Sequence, residues 1–75
     1  MQIESLRVFC DLAESRSFTN AARINQITQS AVSQQISSLE RHFDTLLIER
    51  SKKMFRLTKE GQLLYDHSKE IINTF

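Results

Sequence analysis

ITQSAVSQQISSLERHF, residues Ile27–Phe43, carries one apolar stripe: Val32, Ile36, Leu39 and Phe43 recur at helical spacing. Thr28 stands just ahead of the stripe, placed to accept a bond from a first-turn amide as an N-cap. The opposite face holds Ser30, Ser33, Gln34, Ser37, Ser38 and Arg41, with Gln29 at its exposed N-terminal end. A solvent-facing helix surface ordinarily carries glutamate and lysine. This one carries amides and hydroxyls, and no acid before Glu40. Such groups donate and accept hydrogen bonds without presenting negative charge, which suits a helix lying against base edges between two rows of phosphates. A polar surface helix rich in serine and glutamine would read the same way, so the flanking sequence has to decide.

Upstream, Ile3–Ala13 reads as a first helix: Ile3, Leu6, Phe9, Cys10 and Ala13 follow helical spacing, and Val8 and Leu12 widen the apolar face. Glu14-Ser15-Arg16 is the break. Ser17 caps a short second helix, Phe18–Asn25, in which Phe18, Ala21 and Ala22 face inward and Thr19, Asn20 and Arg23 stay polar. The two alanines let a neighbouring helix approach closely. A short helix, a tight connection through Asn25-Gln26-Ile27-Thr28, and a longer helix with a polar outer face form the helix-turn-helix pattern. An ordinary helical hairpin would pack the same residues.

Downstream, Leu46–Arg50 is an apolar run too short for a helix of its own, Ser51–Met54 is polar and basic, and Phe55-Arg56-Leu57 alternates. Two short strands around a basic turn predict a β-hairpin, a wing appended to the helices, although the turn has no glycine or Asn-Gly pair. Its tip would carry Lys52 and Lys53, with Arg50 and Arg56 near by. Cations there can bind phosphates or enter a narrow minor groove. Thr58 reads as another N-cap, and Lys59–Phe75 as a final helix. Leu64, Ile71 and Phe75 share one stripe of that helix, with Tyr65 and Ile72 on a neighbouring one. That is more apolar surface than a three-helix core needs, and it predicts packing against another subunit or a further domain.

Composition narrows the classes. The chain has 75 residues, one glycine, no proline and one cysteine. That predicts a single, mainly α-helical domain with a marginal core, no internal disulfide, and a reducing cytoplasmic setting. No apolar run is long enough to span a membrane, and the N-terminus lacks the features of a signal peptide. Net charge is only +1, but the distribution matters more than the sum. Between Ser15 and Leu39 the only charges are Arg16 and Arg23, and Arg50, Lys52, Lys53, Arg56 and Lys59 follow one another with no acid among them. An enzyme fits poorly. His42 and His67 have no cysteine at metal spacing, there is no glycine-rich phosphate loop, and no base accompanies the helical serines. No metal or cofactor is expected. A protein-interaction module remains open, because the fold alone does not decide function.

In this order the motifs resemble the N-terminal DNA-binding domain of LysR-type transcriptional regulators. The resemblance rests on Leu6-x-x-Phe9, on Ser17-Phe18-Thr19-x-Ala21-Ala22, and on Thr28-Gln29-Ser30-Ala31-Val32-Ser33-x-Gln35-Ile36-x-x-Leu39-Glu40. Leu47-Ile48-Glu49-Arg50, Arg56-Leu57-Thr58 and Gly61 follow at unbroken spacing. Each motif is weak alone; in register they are highly specific.

The resemblance implies a winged helix-turn-helix over residues 1–58 and a linker or dimerisation helix over residues 59–75. It also implies a homodimer on double-stranded DNA with an inverted-repeat operator, and an effector domain, absent from these residues, that senses a small-molecule inducer. Carried over by position, Gln29, Ser30, Ser33 and Gln34 would contact bases in the major groove, and Thr28 and Ser37 would flank them on the backbone. Thr19 and Asn20 would touch phosphates. Arg50, Lys52, Lys53 and Arg56 would form the basic wing. Leu64, Ile71, Ile72 and Phe75 would join two subunits. The chain departs from the family where Gln34 stands for a frequent arginine and Ser30 for proline. Arginine reads guanine, whereas glutamine suits adenine or adapts to several bases. Asn25 replaces a frequent leucine, with Ile24 beside it to supply the apolar contact. Asp44 replaces a glycine after the third helix and tolerates a left-handed conformation better than most residues.

Overall fold

The structure is a computed structural model that describes residues 3–49 and 54–74. Four helices follow in order: α1 (Ile3–Ser15), α2 (Phe18–Asn25), α3 (Gln29–Phe43) and α4 (Lys59–Thr74). α1, α2 and α3 each pack on the other two, and α4 lies against α1. The core takes Leu6, Val8, Phe9 and Leu12 from α1, Ala21 and Ala22 from α2, and Val32, Ile36 and Leu39 from α3. Leu47 and Ile48 close it from the segment after α3.

The helix ends explain the chain's turns. α1 runs past Ala13 to Ser15, because Arg16 takes a left-handed conformation (φ 58°) and its N–H still bonds the Leu12 carbonyl at 2.8 Å. The Ser17 hydroxyl caps α2 by accepting from the Asn20 N–H at 3.1 Å. α2 ends at a left-handed Gln26: its N–H donates to the Arg23 carbonyl at 3.2 Å, and the Ile27 N–H to the Ala22 carbonyl at 3.0 Å. This paired closure turns the chain sharply into α3. The Thr28 hydroxyl caps α3, accepting from the Ala31 N–H at 3.0 Å. Asp44 ends α3 with the left-handed geometry its position requires, at φ 53° and ψ 44°.

Four expectations need correction. Among the described residues the β-hairpin reduces to one antiparallel bridge, Ile48 with Leu57. The Glu49 N–H donates to the Arg56 carbonyl at 2.9 Å and the Thr58 N–H to the Leu47 carbonyl at 3.0 Å, so only the root of a wing is paired. Arg50, Lys52 and Lys53 lie outside the described residues. Phe43 leaves the α3 stripe and is 41% exposed, because the helix runs past the core at its last turn; it meets His42 edge-on instead. Ile24 does not supply the apolar contact beside Asn25. It is 56% exposed, while the Asn25 amide donates at 2.9 Å to both Asp11 Oδ2 and the Ala21 carbonyl. Finally, the inward face of α4 is Gly61, Leu64, Tyr65, Ser68 and Ile72, which leaves Leu63 and Ile71 outward.

α4 is tied to α1 through Glu14. Lys69 Nζ lies 2.9 Å from its carboxylate, and the Tyr65 hydroxyl donates to it at 2.8 Å. The Lys69 hydrogen bond, then that of Tyr65, holds the Glu14 carboxyl below the ordinary carboxylate range, and Glu14 in turn raises Lys69 and Tyr65. Burial, seconded by Glu14, pushes the Cys10 thiol up to about 11. No helix is long and apolar enough to cross a membrane, and no metal-ligating cluster occurs among the described residues.

Candidate nucleic-acid interface

α3 is 15 residues long, about 22 Å at the helical rise. Its inner stripe is fixed by Val32, Ile36 and Leu39, all fully buried. That anchoring turns Gln29, Ser30, Ser33 and Gln34 to solvent together, with Ser37 half-buried behind them. The first turn of α3 contains no acid, so the positive end of the helix dipole is not offset by a carboxylate. Thr28 is exposed, and its oxygen is engaged as the cap, which leaves its O–H proton to donate outward.

α2 adds a second polar row. Thr19 and Arg23 are exposed and Asn20 is half-buried. Arg23 Nη2 donates to Asn20 Oδ1 at 2.9 Å, which sets a guanidinium beside the Asn20 amide. The two rows meet at one contact, where Gln29 Nε2 donates to the Thr19 hydroxyl oxygen at 3.0 Å. The first turns of α2 and α3 thus form one continuous surface of donors and acceptors. Its net charge comes from arginine, and an α-helix of this width fits a DNA major groove.

The remaining site residues divide. The Arg56 side chain is exposed at the wing root. In the dimerisation set, Leu64 and Ile72 are partly buried against the chain's own core, Ile71 is 47% exposed, and Phe75 lies outside the described residues. Sequence reasoning missed the supports. Gln35, in the middle of the Gln-rich run, accepts from the Ser5 hydroxyl of α1 and holds α3 rather than facing outward. Arg16 Nη2 donates to the Phe55 carbonyl at 2.8 Å, tying the α1–α2 corner to the wing root. Glu40 Oε2 accepts from the Leu47 N–H at 2.8 Å and, more weakly, from the Ile48 N–H at 3.4 Å. Arg23 did have a signal, since it stands one helical turn after Asn20 on the same polar row.

A short helix, a left-handed corner and a longer helix offering a polar, acid-free face define a helix-turn-helix protein. The family model for bacterial regulatory helix-turn-helix proteins of the lysR family matches residues 3–62, and the chain belongs to that family. It is 38% identical over 74 residues to the uncharacterized HTH-type transcriptional regulator YbhD of Escherichia coli, covering 99% of this chain and 23% of that protein. It is 43% identical over 68 residues to the HTH-type transcriptional regulator CatR of Pseudomonas putida, covering 91% and 23%. The chain thus spans about a quarter of the length of the curated relatives it matches. Its fold superposes on the BenM DBD in its crystal structure with catB site 1 DNA, with a TM-score of 0.93 and 32% identity over 99% of this chain and 83% of that one. Vibrio fischeri DarR, solved in complex with DNA, gives a TM-score of 0.91 and 30% identity over 99% and 25%.

Proposed function

We propose that this chain is the DNA-binding part of a bacterial LysR-type transcriptional regulator, reading double-stranded DNA in a sequence-specific manner from the cytoplasm. The observation that carries the proposal is the joined outer surface of α2 and α3, with every assigned base reader exposed and no acid before Glu40. The likeness to structures of relatives solved with DNA supports it. Gln29, Ser30, Ser33 and Gln34 read bases; Thr19, Asn20, Thr28 and Ser37 hold the backbone; Arg50, Lys52, Lys53 and Arg56 place the wing on the minor groove or the phosphates. Residues 1–58 form the reading unit, and residues 59–75 form the linker that pairs two copies through Leu64, Ile71, Ile72 and Phe75. Leu63, 53% exposed, adds to that face. Two copies present two reading helices and so call for an inverted repeat about one helical turn or more between half-sites. A small-molecule inducer acts through the part of the regulator that the longer relatives carry beyond this domain.

The test is selection of genomic fragments by the purified chain at moderate salt, then titration of the winner and of scrambled DNA. The reading expects an inverted repeat bound far more tightly than scrambled DNA. Gln29→Ala should cost about 1–3 kcal/mol at that site and little on scrambled DNA. Equal, weak binding to both duplexes would overturn it and favour the interaction-module reading.

A further inference from the structure

We propose that Thr19 is a positioning residue that couples phosphate contact to base readout by fixing which way the Gln29 amide faces. The inference rests on the reading of Gln29 as a base contact. Gln29 is the first residue of α3, and its side chain is exposed. Left to itself, a glutamine samples many rotamers, and its amide presents donor and acceptor in either order. Thr19 removes that freedom. It is β-branched and stiff at χ1, it sits inside α2, and it accepts from Gln29 Nε2 at 3.0 Å. One N–H of Gln29 is thereby engaged. The other N–H and Oε1 remain, the pair that adenine's N7 and N6 amino group require in the major groove.

The hydroxyl makes the coupling directional. Threonine has one O–H proton and two lone pairs. When Thr19 donates its proton to a phosphate, only lone pairs are left for Gln29, so Nε2 and not Oε1 must face Thr19. Were the amide turned over, Oε1 would need the Thr19 proton and two N–H groups would point outward, an arrangement suited to the N7 and O6 acceptors of guanine. Seating on the backbone therefore holds the amide in its adenine-reading orientation. A phosphate contact, which carries no sequence information by itself, acquires it through one side chain.

The experiment uses the full chain, the duplex recovered by the selection above, and that duplex with each base pair substituted singly. Gln29→Ala first identifies the base pair at which preference relaxes. Thr19→Val, which keeps the shape and removes the hydroxyl, should reduce preference at that same pair by roughly fivefold or more and leave the preferences elsewhere unchanged. Thr19→Ser should restore it. In a Gln29→Ala background, Thr19→Val should have no further effect on the preference. Thr19→Val that weakens every duplex equally with the profile intact would reduce Thr19 to a phosphate contact and overturn the coupling. So would effects of the two substitutions that multiply, or a Gln29→Ala chain with an unaltered profile. A wild-type chain that binds selected and scrambled duplexes alike would take the DNA-reading proposal down as well, and is told apart from these outcomes before any variant is made.

Discussion

Gly61→Ala tests the tightest approach in the fold. A Cβ built on Gly61 would overlap the Leu47 carbonyl oxygen and lie 3.1 Å from the Leu47 carbonyl carbon and 3.3 Å from its Cα. Non-bonded heavy atoms pack best near 3.5–4.0 Å, and the overlap with the oxygen is the worst of the three contacts, so α4 or Leu47 would have to move by about 1 Å. Neither is free to do so. The Leu47 carbonyl accepts from the Thr58 N–H at 3.0 Å, and the Leu47 N–H is held by Glu40 at 2.8 Å. Thr58 in turn donates its hydroxyl proton to the Leu46 carbonyl at 2.6 Å and accepts from the Gly61 N–H at 2.9 Å. Alanine would gain about 1 kcal/mol in helix propensity. Overpacking against backbone costs about 1–3 kcal/mol, and loss of the Thr58–Leu47 bond adds about 1 kcal/mol. The net expectation is destabilisation by about 1–3 kcal/mol, from a total of roughly 4–11 kcal/mol for a chain of this length. That corresponds to a fall in Tm of roughly 4–24 °C. Thermal melts followed by far-UV circular dichroism, at two protein concentrations so that association is separated from folding, read it directly. A Gly61→Ala chain melting at or above the wild-type temperature would refute the reasoning, because it would mean that the Leu47 segment yields at no cost.

Other substitutions test the supports around the interface. Glu40→Ala strips the acceptor from the Leu47 and Ile48 N–H groups, both of buried residues, and should lower stability in urea by about 1–3 kcal/mol; Glu40→Gln, which keeps a carbonyl oxygen, should lose less. Glu14→Gln removes the charge from the α1–α4 tie. Because the folded state lowers the Glu14 carboxyl below 4.5, its contribution is present at neutral pH and lost as pH falls through the folded value. Lys69 is raised from 10.5, so its share is present below that pH and lost above it. The stability gap between wild type and Glu14→Gln should therefore close below pH 4.5, and a gap that persists in acid would assign the effect to packing. Cys10 is buried with its thiol raised to about 11, so at pH about 8, near the free-thiol value, it should react with a thiol reagent only as fast as the chain opens; immediate labelling of the native protein would contradict its burial.

The parts of the fold legible in the sequence are those fixed by neighbours in the chain. Ser17 and Thr28 mark the starts of α2 and α3 because an N-cap acts within one turn. Asp44 was readable as a left-handed terminus, since a short polar side chain tolerates that region. Gln26 and Arg16 take the same conformation without any such signal, which is why α1 ran on beyond its expected end. In α4 the error came from counting only large apolar residues. The stripe that packs inward, Gly61, Leu64, Tyr65, Ser68 and Ile72, includes a glycine and a serine, and their smallness is what lets the helix approach. The exposed polar face of α3 was legible because burial of Val32, Ile36 and Leu39 dictates it. The Thr19–Gln29 bond was not, because it joins residues ten apart across a corner whose angle a sequence does not state.

The same distinction bears on how the wing root is placed. Paired at one bridge among the described residues, the wing root does not set its own position. It is held instead by one helix and by residues at two helix ends. Glu40 of α3 grips the Leu47 and Ile48 amides, Arg16 at the α1–α2 corner grips the Phe55 carbonyl, and Thr58 at the start of α4 grips Leu46 and Leu47. The Glu40, Arg16 and Thr58 hydroxyl contacts each run from a side chain to backbone, so they fix the root independently of the wing's own side chains; the Thr58 N–H bond to Leu47 belongs to the root pairing itself. Glu40 matters most for the interface, because it belongs to the helix that also carries Ser33, Gln34 and Ser37. The distance from that polar face to Arg56 is therefore built into the helical frame. Substitutions in the wing can change what it contacts without moving its root, and substitutions at Glu40 can move the root without touching a cation.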